Sequence, residues 1–138
     1  MATLLQDVSS ASEWIAGALQ HSGYQADFSP ESLAEIDRFL DDHSSEGSAL
    51  PGGLLADGLG QKLFALGAYV GETIRRERGG TWQADDDDPR GEINVELHLP
   101  EGGVVWPVQR VIKRFKNGPE DGIAVYGSLI EGQERQAG

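Results

Sequence analysis

The sequence predicts an α+β fold: two N-terminal helices, a long central helix that carries glycines, a small antiparallel sheet of about three strands, and two C-terminal helices. Two observations predict it. Apolar residues recur at helical spacing before residue 79 and after residue 106, whereas the segment between them alternates apolar and polar residues with a period of two. With 138 residues and 38% hydrophobic content, the chain is expected to form one globular domain over residues 1–138.

The N-terminal part predicts two helices with one apolar face each. Ser10 and Glu13 have the spacing of a capping box, so the first helix is expected over residues 10–22, after an irregular start over residues 1–9. Its apolar positions recur at helical intervals: Trp14, Ile15, Ala18 and Leu19. The second helix is expected over residues 29–43, where a serine N-cap precedes a proline at the first helical position.

The longest helical pattern covers residues 54–78 and predicts the central element of the fold. Its apolar stripe consists of Leu59, Leu63, Leu66, Val70 and Ile74. Glycine inside a helix costs about 1 kcal/mol relative to alanine, yet Gly67 and Gly71 both lie within this pattern. We expect these two positions to admit a close neighbour, either through internal packing or, alternatively, through a ligand or partner. The same patch, or a strand edge at residues 81–84, is a candidate homodimer contact.

A small sheet is expected after the central helix. Its strands are predicted at residues 81–84, 93–99 and 104–106. The apolar face expected to pack on the central helix consists of Ile93, Val95, Leu97 and Leu99. Trp82 and Trp106 lie on two of these strands, and we expect both side chains in the core.

After the sheet, the apolar spacing becomes helical again and predicts two closing helices. The first is expected over residues 107–118, with one apolar stripe: Val108, Val111, Ile112 and Phe115. The second is expected from Pro119, with four apolar positions: Ile123, Tyr126, Leu129 and Ile130. Residues 133–138 are expected to be irregular.

The net charge of −12 is concentrated in the N-terminal half of the chain. Residues 1–61 carry ten acidic side chains and one basic side chain, whereas residues 62–138 carry thirteen acidic and ten basic ones. Such a field repels phosphate, so neither nucleic acid nor an anionic membrane is expected as a partner. The absence of cysteine excludes a thiolate metal site and a thiol nucleophile. Because no membrane span or secretion signal is visible, a cytoplasmic location is expected.

No nucleotide-binding or catalytic motif is complete, so we expect no cofactor and name no catalytic residue. Gly53 and Gly58 have the separation of a phosphate-binding loop, but Leu59 stands where a lysine would have to reach the phosphates. In the acidic run, Asp86 and Asp88 are weak candidates for holding a hard cation. The spacing of a calcium loop fails there, so a solvated acidic loop is expected instead.

The helix predicted over residues 107–118 is the most informative local feature because it carries only basic charges. These are Arg110, Lys113, Arg114 and Lys116. Either they pair inside the protein with Glu72 and the acidic run, or they form an exposed site for a phosphate, a carboxylate or an acidic segment. Arginine suits the second use because it can bind such groups through two hydrogen bonds.

Several short motifs follow one another along the second half of the chain. They are Gly67-Ala68-Tyr69-Val70-Gly71-Glu72, Gly80-x-Trp82, Trp106-Pro107, Lys113-Arg114, Gly118 and Tyr126. This arrangement resembles a set of uncharacterised bacterial domains of unknown function, in which a GAYxGE helix precedes a GGxW strand and a P…KR…G helix. The resemblance covers residues 54–130 and implies a shared small α+β fold, without an activity, substrate or cofactor. It suggests that five residues converge in space: Tyr69, Glu72, Trp82, Lys113 and Arg114.

Two functional hypotheses follow. The first is a non-enzymatic binding or regulatory protein, of the immunity or adaptor type, whose acidic N-terminal half engages a basic protein partner. The alternative is a small enzyme or anionic-ligand-binding domain in which Glu72 acts as acid or base. In that alternative the ligand is held by the basic helix, with Tyr69 and Trp82 close by. The two hypotheses differ in whether these side chains line a cavity or pair with one another.

Overall fold

The computed structural model describes residues 2–124 and has an α+β architecture of four helices and two small antiparallel sheets. The helices are α1 (Leu4–His21), α2 (Leu33–His43), α3 (Leu59–Arg78) and α4 (Pro107–Asn117). The strands are β1 (Ser44–Ser45), β2 (Ser48–Ala49), β3 (Thr81–Gln83), β4 (Glu96–His98) and β5 (Val104–Val105). Strands β1 and β2 form one sheet, and the second has the order β3-β4-β5. None of the helices between residues 2 and 124 has the length and apolar character needed to cross a membrane.

Helix α1 begins six residues before the predicted start at Ser10. Thr3 is the N-cap: its side chain accepts a hydrogen bond from the Gln6 N–H, and the Gln6 side chain accepts one from the Thr3 N–H. In addition, the Asp86 carboxylate accepts a 2.8 Å hydrogen bond from the Leu4 N–H. The prediction of an irregular start over residues 1–9 is therefore wrong from residue 4 onward, because a distant carboxylate adds to a local cap.

The second helical segment confirms the predicted N-cap. The Ser29 hydroxyl accepts a hydrogen bond from the Ser32 N–H, and a 3₁₀ turn at Pro30–Ser32 leads directly into α2. Beyond α2, the structure adds a hairpin that the sequence analysis did not predict. Glu46 and Gly47 connect β1 to β2 with φ values of 52° and 78°, and two such residues in succession make the tight turn that joins hairpin strands.

Helix α3 is the buried centre of the fold, and all twelve residues from Leu63 to Ile74 are buried. It begins at Leu59 rather than at the predicted residue 54. The preceding segment is held in turns, since the Leu54 N–H donates to the His43 imidazole and the left-handed backbone of Gly58 interrupts the helical path. The expected apolar stripe is confirmed, and it faces α1 and α4 among other neighbours.

The two central glycines of α3 are sites of close approach. A Cβ atom at Gly67 would lie 2.5 Å from the Cα of Val108, and one at Gly71 would overlap the indole ring of Trp82 and approach Pro107. These contacts confirm that the glycines serve internal packing. Strand β3 and the start of α4 therefore both pack against the segment of α3 that contains Gly67 and Gly71.

The central strand of the sheet is shorter than predicted. Residues 91–94 form turns in which the Ile93 and Asn94 N–H groups both donate to the Arg90 carbonyl, so regular pairing begins only at Glu96. Val95, Leu97 and Leu99 are buried as expected, but the Ile93 side chain is 40% exposed. The prediction that Ile93 belongs to the packed face is wrong because the turn precedes the strand.

The first closing helix is confirmed as α4, with proline at its first position. Among the described residues that follow it, Pro119–Asp121 form a 3₁₀ turn. Most of the second closing helix predicted from Pro119, including Tyr126, Leu129 and Ile130, lies outside the described residues.

We predict that Gly71→Ala destabilises the protein by about 1–3 kcal/mol, because the added methyl group must displace the Trp82 ring and Pro107. Gly17→Ala is the matched control: Gly17 lies inside α1 and a Cβ there meets nothing within 4 Å. We expect this control to gain roughly 0.5–1 kcal/mol from helix propensity. Urea unfolding of both variants measures the difference, and equal stabilisation by both would contradict the close approach.

Candidate functional site

Glu72 lies in a polar cluster beneath the Trp82 indole. The Glu72 carboxylate accepts a 2.8 Å hydrogen bond from Trp82 Nε1. It also accepts two hydrogen bonds from Arg75, with Nε–Oε1 at 2.6 Å and Nη2–Oε2 at 3.0 Å, and a longer one from Arg76. Its side chain retains only 9% of its exposure. Both carboxylate oxygens are thus occupied by neighbours from α3 and β3.

The protonation of Glu72 follows from these contacts. Burial of the Glu72 carboxyl disfavours its charged form, but hydrogen bonds from Arg75, Trp82 and Arg76 outweigh burial and hold its pKa below the ordinary value. A carboxyl of this kind stays ionised at neutral pH. It is a poor general acid or base because its oxygens are already engaged with cations.

Arg114 of α4 is buried against α2. Its guanidinium donates through Nε to Asp37 at 2.9 Å and through Nη2 to Asp41 at 2.6 Å, and only 3% of its side chain is exposed. Asp37 also accepts hydrogen bonds from the backbone N–H groups of Ile123 and Ala124. Of the two alternatives for the basic helix, Arg114 therefore follows the first, pairing inside the protein, but its partners are Asp37 and Asp41 of α2 and not Glu72 or the acidic run.

The other basic side chains of α4 have different surroundings. Arg110 lies 4.0 Å from Asp121, whereas Lys113 and Lys116 are exposed and have no ion-pair partner within residues 2–124. Together with Trp106 they line a groove of about 500 Å³ beside β5, which we call the α4 groove. The prediction that Trp106 belongs to the core is wrong, because its side chain is 42% exposed and lines this groove.

Tyr69 and Trp82 have different surroundings. The Tyr69 hydroxyl accepts a hydrogen bond from the Phe28 N–H at 2.9 Å and lies 2.6 Å from the Ser32 hydroxyl, so it joins α3 to the connection between α1 and α2. Burial raises the pKa of Tyr69 above its ordinary value. Trp82 is partly buried and packs against the core, so the expectation for it is confirmed only in part. The resemblance suggests that five residues converge: Tyr69, Glu72, Trp82, Lys113 and Arg114. Among the described hydrogen bonds, the one that joins two of them is the bond from Trp82 to Glu72.

The acidic run has structural partners. Asp86 caps α1 as described, and Asp88 accepts hydrogen bonds from the Arg90 N–H and the Asn94 side chain. The Asn94 bond and the Arg90 N–H hold the pKa of Asp88 below its ordinary value. In the part of the chain that the structure describes, no group of three or more His, Asp or Glu side chains could hold a metal ion.

A second concave surface lies between α1 and α3, and we call it the α1–α3 cleft. It has a volume of about 440 Å³, and its lining includes Asp7, Trp14, Lys62, Phe64 and Glu92. Trp14 is 56% exposed, the highest value among the exposed large apolar residues of the described chain. Sequence periodicity places Trp14 beside Ile15 on an apolar face, but only Ile15 is buried because Trp14 lies at the edge of that face.

A smaller apolar pocket adjoins the α1–α3 cleft. It has a volume of about 170 Å³ and shares Trp14 and Lys62 with the cleft. Its other walls include Ala18, Phe39 and Leu54. The Lys62 ammonium donates to the Leu54 carbonyl at 2.5 Å, which directs the lysine charge to the backbone and leaves its aliphatic stem along the pocket.

Sequence reasoning missed both the cleft and the acidic partners of Arg114. Asp37 and Asp41 are four residues apart on the second predicted helix, a spacing that puts them on one face, and this signal could have nominated them. No comparable signal existed for the cleft, because its walls come from distant segments.

A further polar cluster that the sequence did not predict joins Tyr24, Asp42 and His43 through the Tyr24 hydroxyl. Burial together with the Asp42 hydrogen bond raises the pKa of Tyr24 to about 12.

Comparison of the chain with models of known protein families, with curated proteins and with solved structures finds no match to any of them.

We predict that Arg114→Met destabilises the protein by about 3 kcal/mol, because it leaves Asp37 without the cation that neutralises it in a partly buried position. Lys113→Met is the matched control on the neighbouring residue, and its effect should stay within about 0.5 kcal/mol because Lys113 is exposed. Chemical denaturation of the two variants distinguishes the structural cation from the exposed one. Similar losses in both would contradict this assignment.

A second prediction concerns pH. Since the folded pKa of Glu72 lies below its ordinary value of 4.5, the stability it contributes is complete above that pH and is lost as the pH falls through the folded pKa. Glu72→Gln should therefore cost roughly 1.5–3 kcal/mol at pH 7, and the gap from the parent should narrow below pH 4.5. Urea midpoints measured from pH 7 to pH 3.5 test this expectation.

Glu77→Gln on the exposed side of the same helix is the control for the pH series, and we expect it to stay within about 0.5 kcal/mol of the parent at each pH. A constant difference between Glu72→Gln and the parent across the series would contradict the proposed ionic role of Glu72.

Proposed function

We propose that this chain is a non-enzymatic binding protein, of the immunity or adaptor type, that engages a basic protein partner through the α1–α3 cleft. The observation that carries the proposal is the exposed Trp14 at the junction of the cleft and the apolar pocket. The proposal retains the cytoplasmic location expected from the sequence.

Trp14 has the features of an interface anchor. Tryptophan is enriched among residues that dominate binding energy, because its large ring excludes water over a wide area. Here the ring lies beside a pocket walled by Ala18, Phe39 and Leu54. Leu54 is itself 43% exposed, so an apolar side chain of a partner could enter the pocket and cover both residues at once. This supports a protein surface with an apolar anchor as the occupant.

The charge around the cleft supports a basic occupant. Asp7 and Glu92 line the cleft and have no ion-pair partner among the residues that the structure describes. Among the described residues that line the cleft, Lys62 is the one cation, and its ammonium is directed to the Leu54 carbonyl. The surplus of nine negative charges over residues 1–61 extends the preference for a basic partner beyond the cleft. A negative field over this part of the chain accelerates encounters with a positively charged partner.

The alternative function, an enzyme centred on Glu72 and the basic helix, receives less support. Glu72 is hydrogen-bonded to Arg75, Arg76 and Trp82, and Arg114 is hydrogen-bonded to α2. Neither group faces the α4 groove that Lys113 and Lys116 line. A catalytic arrangement of these side chains would require breaking one or both ion-pair clusters.

We predict that Trp14→Ala lowers the yield of a captured basic partner about 30-fold, the equivalent of roughly 2 kcal/mol for a central aromatic anchor. The tagged parent protein and the tagged variant are each used as bait for affinity capture from a lysate of the source cells. The bound proteins are identified by mass spectrometry. The captured partner should have a basic isoelectric point, and its yield should fall between about 0.05 and 0.5 M salt.

Trp106→Ala is the matched control, since Trp106 is a comparably exposed tryptophan outside the cleft. This variant should capture the partner as the parent does. Equal capture by Trp14→Ala, capture that is independent of salt, or no captured protein at all would each contradict the proposal.

A further inference from the structure

The α4 groove lies beside an open strand edge. In the sheet order β3-β4-β5, strand β5 has only one neighbour among residues 2–124, and Val104 and Val105 line the groove. An edge strand with unpaired backbone groups is a template for another strand. The groove is therefore bounded by β5 on one side and by α4 on the other.

The direction of the backbone groups of β5 follows from one hydrogen bond. The Leu99 N–H donates to the Gly103 carbonyl at 2.8 Å, so the polar backbone groups of Gly103 face β4. Successive residues of a strand direct these groups to opposite edges, and Val105 pairs with Leu97 in β4. The N–H and C=O of Val104 consequently face the open edge, where they can pair with an incoming strand.

The helical wall of the groove supplies positive charge. Lys113 and Lys116 carry this charge, and together with the neutral Gln109 they are spaced by four and three residues on α4, which places all three on one stripe along the groove. Trp106 lies at the start of this stripe, and its Nε1 donates to Glu96 at 3.2 Å, which limits the orientations of the ring. The second Glu96 oxygen lies 3.0 Å from His98, so the Glu96 carboxylate is engaged on both sides.

From this geometry we infer a second binding site: the α4 groove takes an extended acidic segment of a partner protein, which adds as a strand to the open edge of β5. Strand addition between a sheet edge and a helix uses backbone hydrogen bonds for affinity and side-chain contacts for selection. Acidic side chains of the segment would meet Lys113 and Lys116, and an apolar or aromatic one would stack on Trp106. With the basic partner proposed above, two oppositely charged surfaces would give the chain the character of an adaptor.

A fluorescein-labelled decapeptide of alternating Glu and Val, with blocked ends, serves as the probe. Its binding is followed by fluorescence anisotropy at about 0.15 M salt, where charges beyond about 8 Å are screened and the distant acidic half contributes little. We expect saturable binding that weakens about ten-fold or more in the Lys113→Ala/Lys116→Ala variant. Arg90→Ala, which removes an exposed cation outside the groove, should bind as the parent does.

Two controls separate strand addition from simple charge attraction. The same peptide with N-methyl groups on alternate residues keeps its charge but loses the N–H groups that would pair with β5, so it should not bind. Val104→Pro removes the N–H that faces the open edge, where proline is tolerated, and should also abolish binding. Equal binding of the methylated peptide, or displacement of the parent peptide by tripolyphosphate at comparable concentration, would reduce the site to an anion patch and overturn the inference.

Absence of peptide binding to the parent, or self-association of the parent chain through this edge in sedimentation, would also overturn it. The Trp14→Ala variant separates this inference from the proposed function, because Trp14 lies in the α1–α3 cleft and outside the α4 groove. This variant should bind the acidic peptide as the parent does. If the parent captures no basic partner but binds the peptide, the proposed function of the α1–α3 cleft fails and the inference about the α4 groove stands.

Discussion

The close approach of other segments to the backbone of α3 is the constraint on which the rest of the structure depends. At Gly67 the start of α4 lies where a side chain would be, and at Gly71 the Trp82 ring does. Glycine is costly inside a helix, so these two positions are favourable only because they permit closer packing on both sides. The position of Trp82 over Gly71 also brings its indole N–H to the carboxylate of the next residue, Glu72.

The same packing divides the basic residues into two groups. With Val108 seated on Gly67, one face of α4 turns inward and directs Arg114 to the aspartates of α2, while the opposite face presents Lys113 and Lys116 to the groove. The buried or half-buried cations that bind carboxylates are arginines, and the exposed ones of α4 are lysines. This follows from chemistry, because a guanidinium offers several directed donors and is less strongly hydrated than an ammonium group.

The proposed interaction surfaces lie outside these internal clusters. One combines an exposed tryptophan with carboxylates that have no described cation partner, and the other combines a strand edge with exposed lysines. Charge of opposite sign on two separate surfaces of one acidic chain favours binding to two different partners. Reaction chemistry would instead require titratable groups that are free to exchange protons, and Glu72 is held in its ionised form by its neighbours.

The sequence by itself determined the types of the main elements, the centrality of the glycine-bearing helix and the basic character of α4, because periodicity, caps and composition act over a few residues. The early start of α1 has a local signal, the Thr3–Gln6 capping box, but only the tertiary structure decided that Asp86, more than eighty positions away, also caps this helix and that Trp14 and Trp106 are exposed. It also decided the contacts that join Glu72 to Trp82 of β3 and Arg114 to the aspartates of α2. These features depend on which distant surfaces meet, and residue spacing along the chain contains no record of that.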